Sequence, residues 1–139
     1  MNSEPRAVVL GEHCALAQAQ PNIALVKYWG KRDAALNLPV VGSISITLDA
    51  LWTRTRVSFE PGLEQDQVSL NGRVDAAEAR RVSAGLDLLR QRAGVNWRAR
   101  VDSRNNFPTA AGLASSASGF AALIHAGAQA LRLDLGDAE

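Results

Sequence analysis

Apolar and polar residues alternate in five short segments of this chain, and a period of two is typical of β-strands that bury one face. In one segment Arg54, Arg56 and Ser58 fall on the side that faces solvent, and in another Ile44 and Ile46 share one face. The pattern therefore predicts five strands. They cover residues 14–20, 43–48, 53–59, 67–70 and 97–103.

A longer segment, residues 76–92, repeats apolar residues at spacings of three and four, which predicts a helix. Asp75 can cap its N-terminus, with Glu78 three residues later in a variant of the capping box. Gly94 is placed to end it. The apolar positions predicted to be buried are Val82, Leu86 and Leu89.

A loop rich in small residues, 105–119, leads into a second helical pattern that begins at about Gly112. Pro108 disfavours helix at the residue before it and marks the loop side of the boundary. The first turn of a helix offers unpaired N–H groups that suit a phosphate, and Ser115 and Ser116 add hydroxyl groups there. The alternative is that the small residues only allow close packing against a sheet. The apolar positions at helical spacing are Leu113, Ala117, Phe120, Ile124, Ala128 and Leu131.

The predicted strands come first, followed by a helix, a strand, a loop and a helix, and this order indicates an α+β fold. Residues 1–11 are expected to be a weakly ordered N-terminal lead. Residues 12–139 are expected to form one domain, because the segment contains no repeat, low-complexity tract or linker.

Composition excludes several classes of function. A net charge of +1 without a basic, aromatic-rich patch gives no indication of nucleic-acid or membrane binding. The single cysteine, Cys14, fits a reducing cytoplasm. We interpret Cys14 as a small buried hydrophobe, with a catalytic thiol as the alternative. His13 and His125 have no partners at metal-ligand spacing, so no metal site built by protein clusters is predicted.

Lysine is rare in this chain, which has thirteen arginines but only two lysines, Lys27 and Lys31. Both lie in the largely apolar segment 23–33. Lysine is a compact point charge that suits phosphate oxygens, and the small-residue loop lacks a cation of its own. The two lysines are therefore candidate phosphate contacts. The alternative is a solvated turn that carries two lysines by chance.

Two segments together resemble the diphosphomevalonate decarboxylase family of the GHMP kinase superfamily. Residues 22–33, followed by residues 36–39, resemble its N-terminal signature, and the segment Lys27-Tyr28-Trp29-Gly30-Lys31 distinguishes it from other superfamily members. Residues 105–122 resemble its phosphate loop. The loop pattern is satisfied by Pro108, Gly112, Leu113, Ser115, Ser116 and Ala117.

The resemblance implies a GHMP kinase-type N-terminal domain, similar to domain 2 of ribosomal protein S5. It also implies the ATP-dependent decarboxylation of mevalonate diphosphate to isopentenyl diphosphate, a step of the mevalonate pathway of isoprenoid biosynthesis, in a cytoplasmic enzyme that is a homodimer at full length. The implied cofactors are ATP and Mg²⁺, with Ser115 or Ser116 as a magnesium contact. Lys27 would lie near the reacting hydroxyl group as the catalytic residue. Substrate-binding positions would be Asn22, Tyr28 and Lys31. ATP and phosphate would contact Pro108, Ala111, Gly112, Leu113, Ala114, Ser115 and Ser116.

The chain is much shorter than members of the family. The family's catalytic aspartate, a second serine-bearing turn and a substrate-binding arginine would follow Glu139, and Asp33 is a weak substitute for the aspartate. We therefore expect a truncated N-terminal part, with the C-terminal domain absent, apolar surface left exposed and no catalysis by the 139 residues alone. Two alternatives are a GHMP small-molecule kinase without decarboxylation and a non-catalytic nucleotide-binding remnant. The substrate could also carry one phosphate instead of two.

Overall fold

A computed structural model describes residues 6–26, 31–33, 38–39, 44–108 and 115–136 of the chain. For Val26, Ser115 and residues 31–33 and 38–39 it describes the backbone alone. These ranges contain nine strands and two helices. They are β1 (Arg6–Gly11), β2 (Cys14–Ala19), β3 (Asn22–Val26), β4 (Lys31–Asp33), β5 (Leu38–Pro39), β6 (Ile44–Thr47), β7 (Thr53–Glu60), β8 (Gln67–Leu70), α1 (Ala76–Ala93), β9 (Arg98–Asn105) and α2 (Ser115–Ala130).

Five strands form the main sheet, in the order β1-β2-β7-β9-β8. All neighbours are antiparallel except β8 and β9, which run parallel because α1 carries the chain back between them. Two two-stranded ribbons, β3–β6 and β4–β5, lie outside this sheet. The mixture of antiparallel strands and two helices confirms the predicted α+β class.

The alternating pattern of β7 explains how the sheet divides into a buried and an exposed face. Its odd-numbered residues, which include Val57 and Phe59, are buried, whereas Arg54 and Arg56 are exposed as predicted. The same alternation buries Ala99 and Val101 in β9. Both helices cover the buried face, and the core between sheet and helices is apolar. Its helical members include Val82, Leu86, Leu89, Leu123 and Ala126.

The local signals for α1 are confirmed. Asp75 Oδ1 accepts a hydrogen bond from Glu78 N at 2.9 Å, which satisfies one of the N–H groups that a helix leaves unpaired at its start. Gly94 ends the helix in the left-handed conformation, with φ of 68°. α1 therefore begins and ends close to the predicted residues, and the predicted apolar positions Val82, Leu86 and Leu89 are buried.

α1 and α2 approach closely because glycines lie where they touch. A Cβ atom placed on Gly127 would lie 2.6 Å from Leu89 Cδ1 and 3.3 Å from Leu86 Cδ2. A Cβ atom on Gly85 would lie 3.5 Å from the Phe120 ring. The absence of a side chain at Gly127 therefore allows the helices to pack at this separation.

Three expectations need correction. Arg6–Gly11 forms β1, paired antiparallel with β2, so the weakly ordered lead is wrong for these residues. Ala117, expected among the buried apolar positions of α2, is exposed, and the buried face passes through Ser118 and Ala122 instead. The alternation in β6 predicts one buried apolar face, but its apolar side chains are exposed, as are those of β3. These exposed side chains are Ile23, Leu25, Ile44 and Ile46.

Candidate functional site

The N-terminal turn of α2 lies between two cavities. Ser116 lines the first, which has a volume of about 200 Å³. Ala117 and Ser118 line the second, of about 240 Å³. Successive residues of one helical turn therefore face different cavities, and the turn forms a wall between them. The positive end of the helix macrodipole favours an anion at such a wall.

The first cavity lies among α1, α2 and strands β7, β8 and β9. Most of its lining area is apolar, and polar side chains line it at several places, including Ser116 and Asn105 near the start of α2. Glu78 and Arg81 of α1 line another side and form an ion pair at 3.3 Å. An apolar cavity of roughly 150 Å³ is enough to hold benzene, so this one can hold a planar heterocycle. Its apolar lining residues are Val68, Leu70, Val82, Val101, Phe120 and Leu123.

The second cavity lies between α2 and the β3–β6 ribbon, and small or polar residues line it. Asn22 from β3 and Thr47 from β6 face Ala117 and Ser118 of α2 across it. Asn22 Nδ2 donates a hydrogen bond to Ser45 Oγ at 3.2 Å, which holds the amide group at the edge of the ribbon. This lining can accommodate a small polar molecule.

Hydrogen bonds fix the chain where it leaves β9 for the loop. Asn106 Oδ1 accepts from Trp52 N at 2.7 Å, and Asn106 Nδ2 donates to the carbonyl group of Ala50 at 2.9 Å. The Asn106 N–H also donates to the Trp52 carbonyl oxygen at 3.2 Å. Phe107, the next residue, is buried. The start of the loop is therefore tied to the segment that enters β7.

A second set of hydrogen bonds joins this strand end to α2. Thr53 Oγ1 donates to Asn105 Oδ1 at 2.9 Å and lies 2.9 Å from Ser118 Oγ. The Asn105 N–H donates to Asn71 Oδ1 at 2.9 Å. β7, β9 and the first turns of α2 thus meet at one group of polar side chains, of which Thr53 and Ser118 are buried.

The predicted site residues fall into three groups. Asn22 and Ser116 are described and line different cavities, and Pro108 is described and exposed. Lys31 and Ser115 are described by their backbone alone, at the start of β4 and of α2. The predicted roles of these residues stay predictions. Outside the described residues lie Lys27, Tyr28, Ala111, Gly112, Leu113 and Ala114.

Three residues at the junction, Thr53, Asn105 and Ser118, were not among the predicted site residues. The sequence contained a signal for Thr53. In the alternating pattern of β7 it falls on the same buried face as Val57 and Phe59. A polar residue at a buried position requires a partner. The partners could not be identified because Ser118 is 65 positions away along the chain.

Cys14 lies at the opposite end of β2 from the cavities and is buried, in agreement with its interpretation as a small hydrophobe. Arg56 Nε donates to Cys14 Sγ at 3.4 Å, and this hydrogen bond raises the pKa of Arg56 above its ordinary value. Within the described ranges, no three His, Cys, Asp or Glu side chains are grouped as metal ligands. Neither described helix is long and apolar enough to cross a membrane.

Residues 19–139 match the Diphosphomevalonate decarboxylase-like N-terminal domain family. The chain belongs to this family. The match includes both helices, both ribbons and every strand of the main sheet except β1 and most of β2. The two segments that carried the resemblance are therefore part of a domain-wide similarity.

Named relatives of this decarboxylase family agree with the match. Diphosphomevalonate decarboxylase of Candida albicans is 46% identical over 127 residues, which cover 82% of this chain and 35% of the relative. Phosphomevalonate decarboxylase of Haloferax volcanii is 41% identical over 122 residues, covering 87% of this chain and 38% of the relative. The chain thus spans little more than a third of the length of these relatives.

Solved structures give the same result for the fold. Mevalonate diphosphate decarboxylase of Staphylococcus aureus is 50% identical, with a TM-score of 0.79, over 88% of this chain and 38% of the other. MDDEF in complex with MVAPP, AMPPCP and magnesium is 47% identical, with a TM-score of 0.77 over the same shares of the two chains. The main sheet with its two helices is therefore the N-terminal fold of the decarboxylases.

Proposed function

We propose that this chain supplies the nucleotide- and substrate-binding N-terminal part of a mevalonate diphosphate decarboxylase. That enzyme uses ATP to convert mevalonate diphosphate to isopentenyl diphosphate, carbon dioxide, ADP and phosphate. The observation that carries the proposal is the N-terminal turn of α2, which in a chain of the decarboxylase family lies between two cavities, one lined by large apolar side chains and the other by small and polar ones. The cytoplasmic location and the assembly of the full-length protein as a homodimer are further parts of this proposal.

The two cavities suit the donor and the acceptor of a phosphoryl group. The first would hold the base of ATP among apolar side chains and direct its phosphates towards Ser116 and the start of α2. The second would hold the polar acceptor beside Asn22 and Ser118. Phosphoryl transfer depends mainly on alignment and on neutralisation of charge, so the positive end of α2 between the two molecules would be an effective arrangement.

Cations complete the proposed site. No acidic residue lies in the first turn of α2, so that turn does not repel phosphate. In the proposal Lys31 binds the substrate phosphates together with Tyr28, and Lys27 faces the transferred phosphoryl group. A charge-assisted contact is worth roughly 1.5–3 kcal/mol, which makes the two lysines the strongest single contributors proposed for the site.

Magnesium fits the donors that the described residues present. Mg²⁺ retains several water molecules and binds phosphate oxygens with only one or two protein ligands. The exposed side chain of Ser116, at the start of α2, offers a hydroxyl oxygen of the required kind. Bound there with ATP, the ion would neutralise charge on the phosphates.

A substrate with one phosphate is a second candidate, because the Haloferax relative is named for phosphomevalonate. The polar groups of the second cavity are amide and hydroxyl groups, which do not distinguish one phosphate from two. Comparison of both compounds is therefore part of the test.

The test is calorimetric titration of the chain with AMPPCP and Mg²⁺, with and without saturating mevalonate diphosphate or mevalonate monophosphate. We expect weak nucleotide binding that strengthens in the presence of the correct substrate, and no carbon dioxide release above background from these 139 residues with ATP. Nucleotide binding that neither mevalonate compound alters would favour a kinase for another substrate. Absence of nucleotide binding under all conditions would contradict the proposal.

A further inference from the structure

We infer that Thr53 is a positioning residue whose hydroxyl group holds the N-terminal turn of α2 against the end of β9, and thereby fixes the wall between the two cavities. The inference deepens the proposed function and depends on it for the identity of the ligands. Thr53 itself is fully buried, so its hydroxyl group is shielded from solvent. We treat it as acting through its neighbours and not by contact with the reacting atoms.

The direction of the hydrogen bonds follows from the donors available. A threonine hydroxyl group has a single proton, and Thr53 gives it to Asn105 Oδ1, which can only accept. The Ser118 hydroxyl group must therefore be the donor to Thr53 Oγ1. Ser118 lies in α2, Thr53 at the start of β7 and Asn105 at the end of β9, so the chain of two bonds runs through all three elements.

The pair of hydrogen bonds is also anchored at Asn105. The backbone N–H of Asn105 donates to Asn71 Oδ1 at 2.9 Å, and the Asn71 N–H donates to the Ser103 carbonyl oxygen at 2.8 Å. Asn105 is therefore held on two sides, by Thr53 and by Asn71. Hydrogen bonds are directional, whereas apolar contacts allow sliding.

The inward face of β7 changes character along its length. Val57 and Phe59 pack in the apolar core, whereas Thr53 and Thr55 occupy the end nearest the cavities. The burial of Thr53 and Thr55 is the same within about 1%, but their partners differ. Thr55 Oγ1 bonds to Ser103 Oγ at 2.8 Å within the sheet, and only Thr53 bonds to α2. Thr55 therefore serves as a matched comparison for hydrogen exchange.

The decisive experiment is amide hydrogen exchange of the ligand-free chain. Exchange rates are divided by those of the most protected amides of β9, so that a change in global stability does not affect the comparison. Thr53→Val should accelerate exchange in the first turns of α2 and at Asn105–Phe107 by at least about fivefold, the equilibrium change expected for one net hydrogen bond. Thr53→Ser keeps the hydroxyl group and should exchange like the wild type. Thr55→Val should leave the relative rates in α2 unchanged. Equal effects of the two valine substitutions would overturn the inference.

A second variant covers the case in which Thr53→Val does not fold. Ser118→Ala removes the other side of the same bond and places the best helix former in the helix, which by itself would slow exchange there. We expect faster exchange, and unchanged or slower exchange would refute the inference.

The affinity for AMPPCP with Mg²⁺ gives the functional readout. Thr53→Val should weaken it about fivefold or more, while Thr53→Ser should not, as expected for a single net hydrogen bond. If the wild-type chain binds no nucleotide, the proposed function fails, and the exchange rates still decide the role of Thr53. If the wild type binds and Thr53→Val binds equally well, the inference fails and the proposed function stands.

Discussion

Replacement of Asp66 by alanine should remove a large part of the stability of this chain. The Asp66 carboxylate accepts hydrogen bonds from Ser83 Oγ at 2.7 Å and from the Ala99 N–H at 2.8 Å, and it also accepts from Arg90 Nη2. The side chains of Asp66 and Arg90 are 4% and 5% exposed, so water does not screen the pair. Asp66 thus ties the segment before β8 to α1 and β9.

The magnitude follows from what the truncation leaves behind. Asp66→Ala would remove one of the acceptors of a buried guanidinium group and would leave two neutral donors without this acceptor. Breaking a buried ion pair from one side costs about 3–5 kcal/mol, and each unsatisfied neutral group costs a further ~1–3 kcal/mol unless water reaches it. Arg90 retains its hydrogen bonds to the Trp97 carbonyl oxygen and to Asp87, which limits the loss. We therefore expect about 4 kcal/mol, a large share of the roughly 5–15 kcal/mol typical of a folded domain.

Urea unfolding followed by tryptophan fluorescence measures this loss. With an m-value of ~2 kcal/mol/M, a loss of about 4 kcal/mol lowers the midpoint by ~2 M. Asp87→Ala is the matched control, since Asp87 bonds to the same arginine at 2.7 Å but its side chain is 52% exposed. An exposed pair contributes about 0.2–1 kcal/mol, so the midpoint should fall by less than ~0.5 M. Similar shifts for both variants would refute the reasoning that burial makes the Asp66 contact decisive.

Two further predictions concern packing and the site. Gly127→Val should destabilise the chain by ~1–3 kcal/mol, because the valine side chain would overlap Leu89. Gly119→Ala should stabilise it by about 0.5–1 kcal/mol, because a Cβ atom there meets nothing within 4 Å. Thermal melting of both variants tests this, and a stabilised Gly127→Val would contradict the packing described. In an active enzyme that contains this chain, Lys27→Ala should mainly lower kcat and Lys31→Ala should mainly raise the KM for mevalonate diphosphate, each by about 10- to 150-fold for a charge-assisted contact. Steady-state kinetics with both variants unimpaired would remove the lysines from the site.

Local signals in the sequence were sufficient for α1 and for the central strands. Asp75 and Gly94 mark the ends of α1 without reference to the rest of the fold, and the alternation in β7 determines which side is buried. The strand β1 was not predicted. It turns into β2 through His13, a non-glycine residue with φ of 58°, and turn signals in sequences depend on glycine and asparagine.

The sequence offered a signal for the candidate site only where a single segment carries it. The small-residue loop and the serines that follow it indicated a helix N-terminus suited to phosphate, and the structure places Ser116 at a cavity. The cavities themselves could not be predicted, since their walls come from strands and helices distant in the sequence. The prediction that Ala117 is buried was also wrong, because a helix rich in alanine has no row of large apolar residues to show which side packs on the sheet.

The strand order has a consequence for how the chain acquires its structure. Cys14 of β2 pairs with Ser58 of β7, and Thr53 of β7 pairs with Asn105 of β9, so the centre of the sheet joins segments that leave the ribosome far apart in time. Pairings of this sequence separation must close long loops before they gain any contact energy, which slows folding to roughly the millisecond-to-second range. α1 can form early, because its contacts are local. We expect stopped-flow refolding to show helix formation before the tryptophan signal of the sheet. The bond between Thr53 and Ser118, which spans 65 positions, would then be among the last to form, so the wall between the cavities would be completed only at the end of folding.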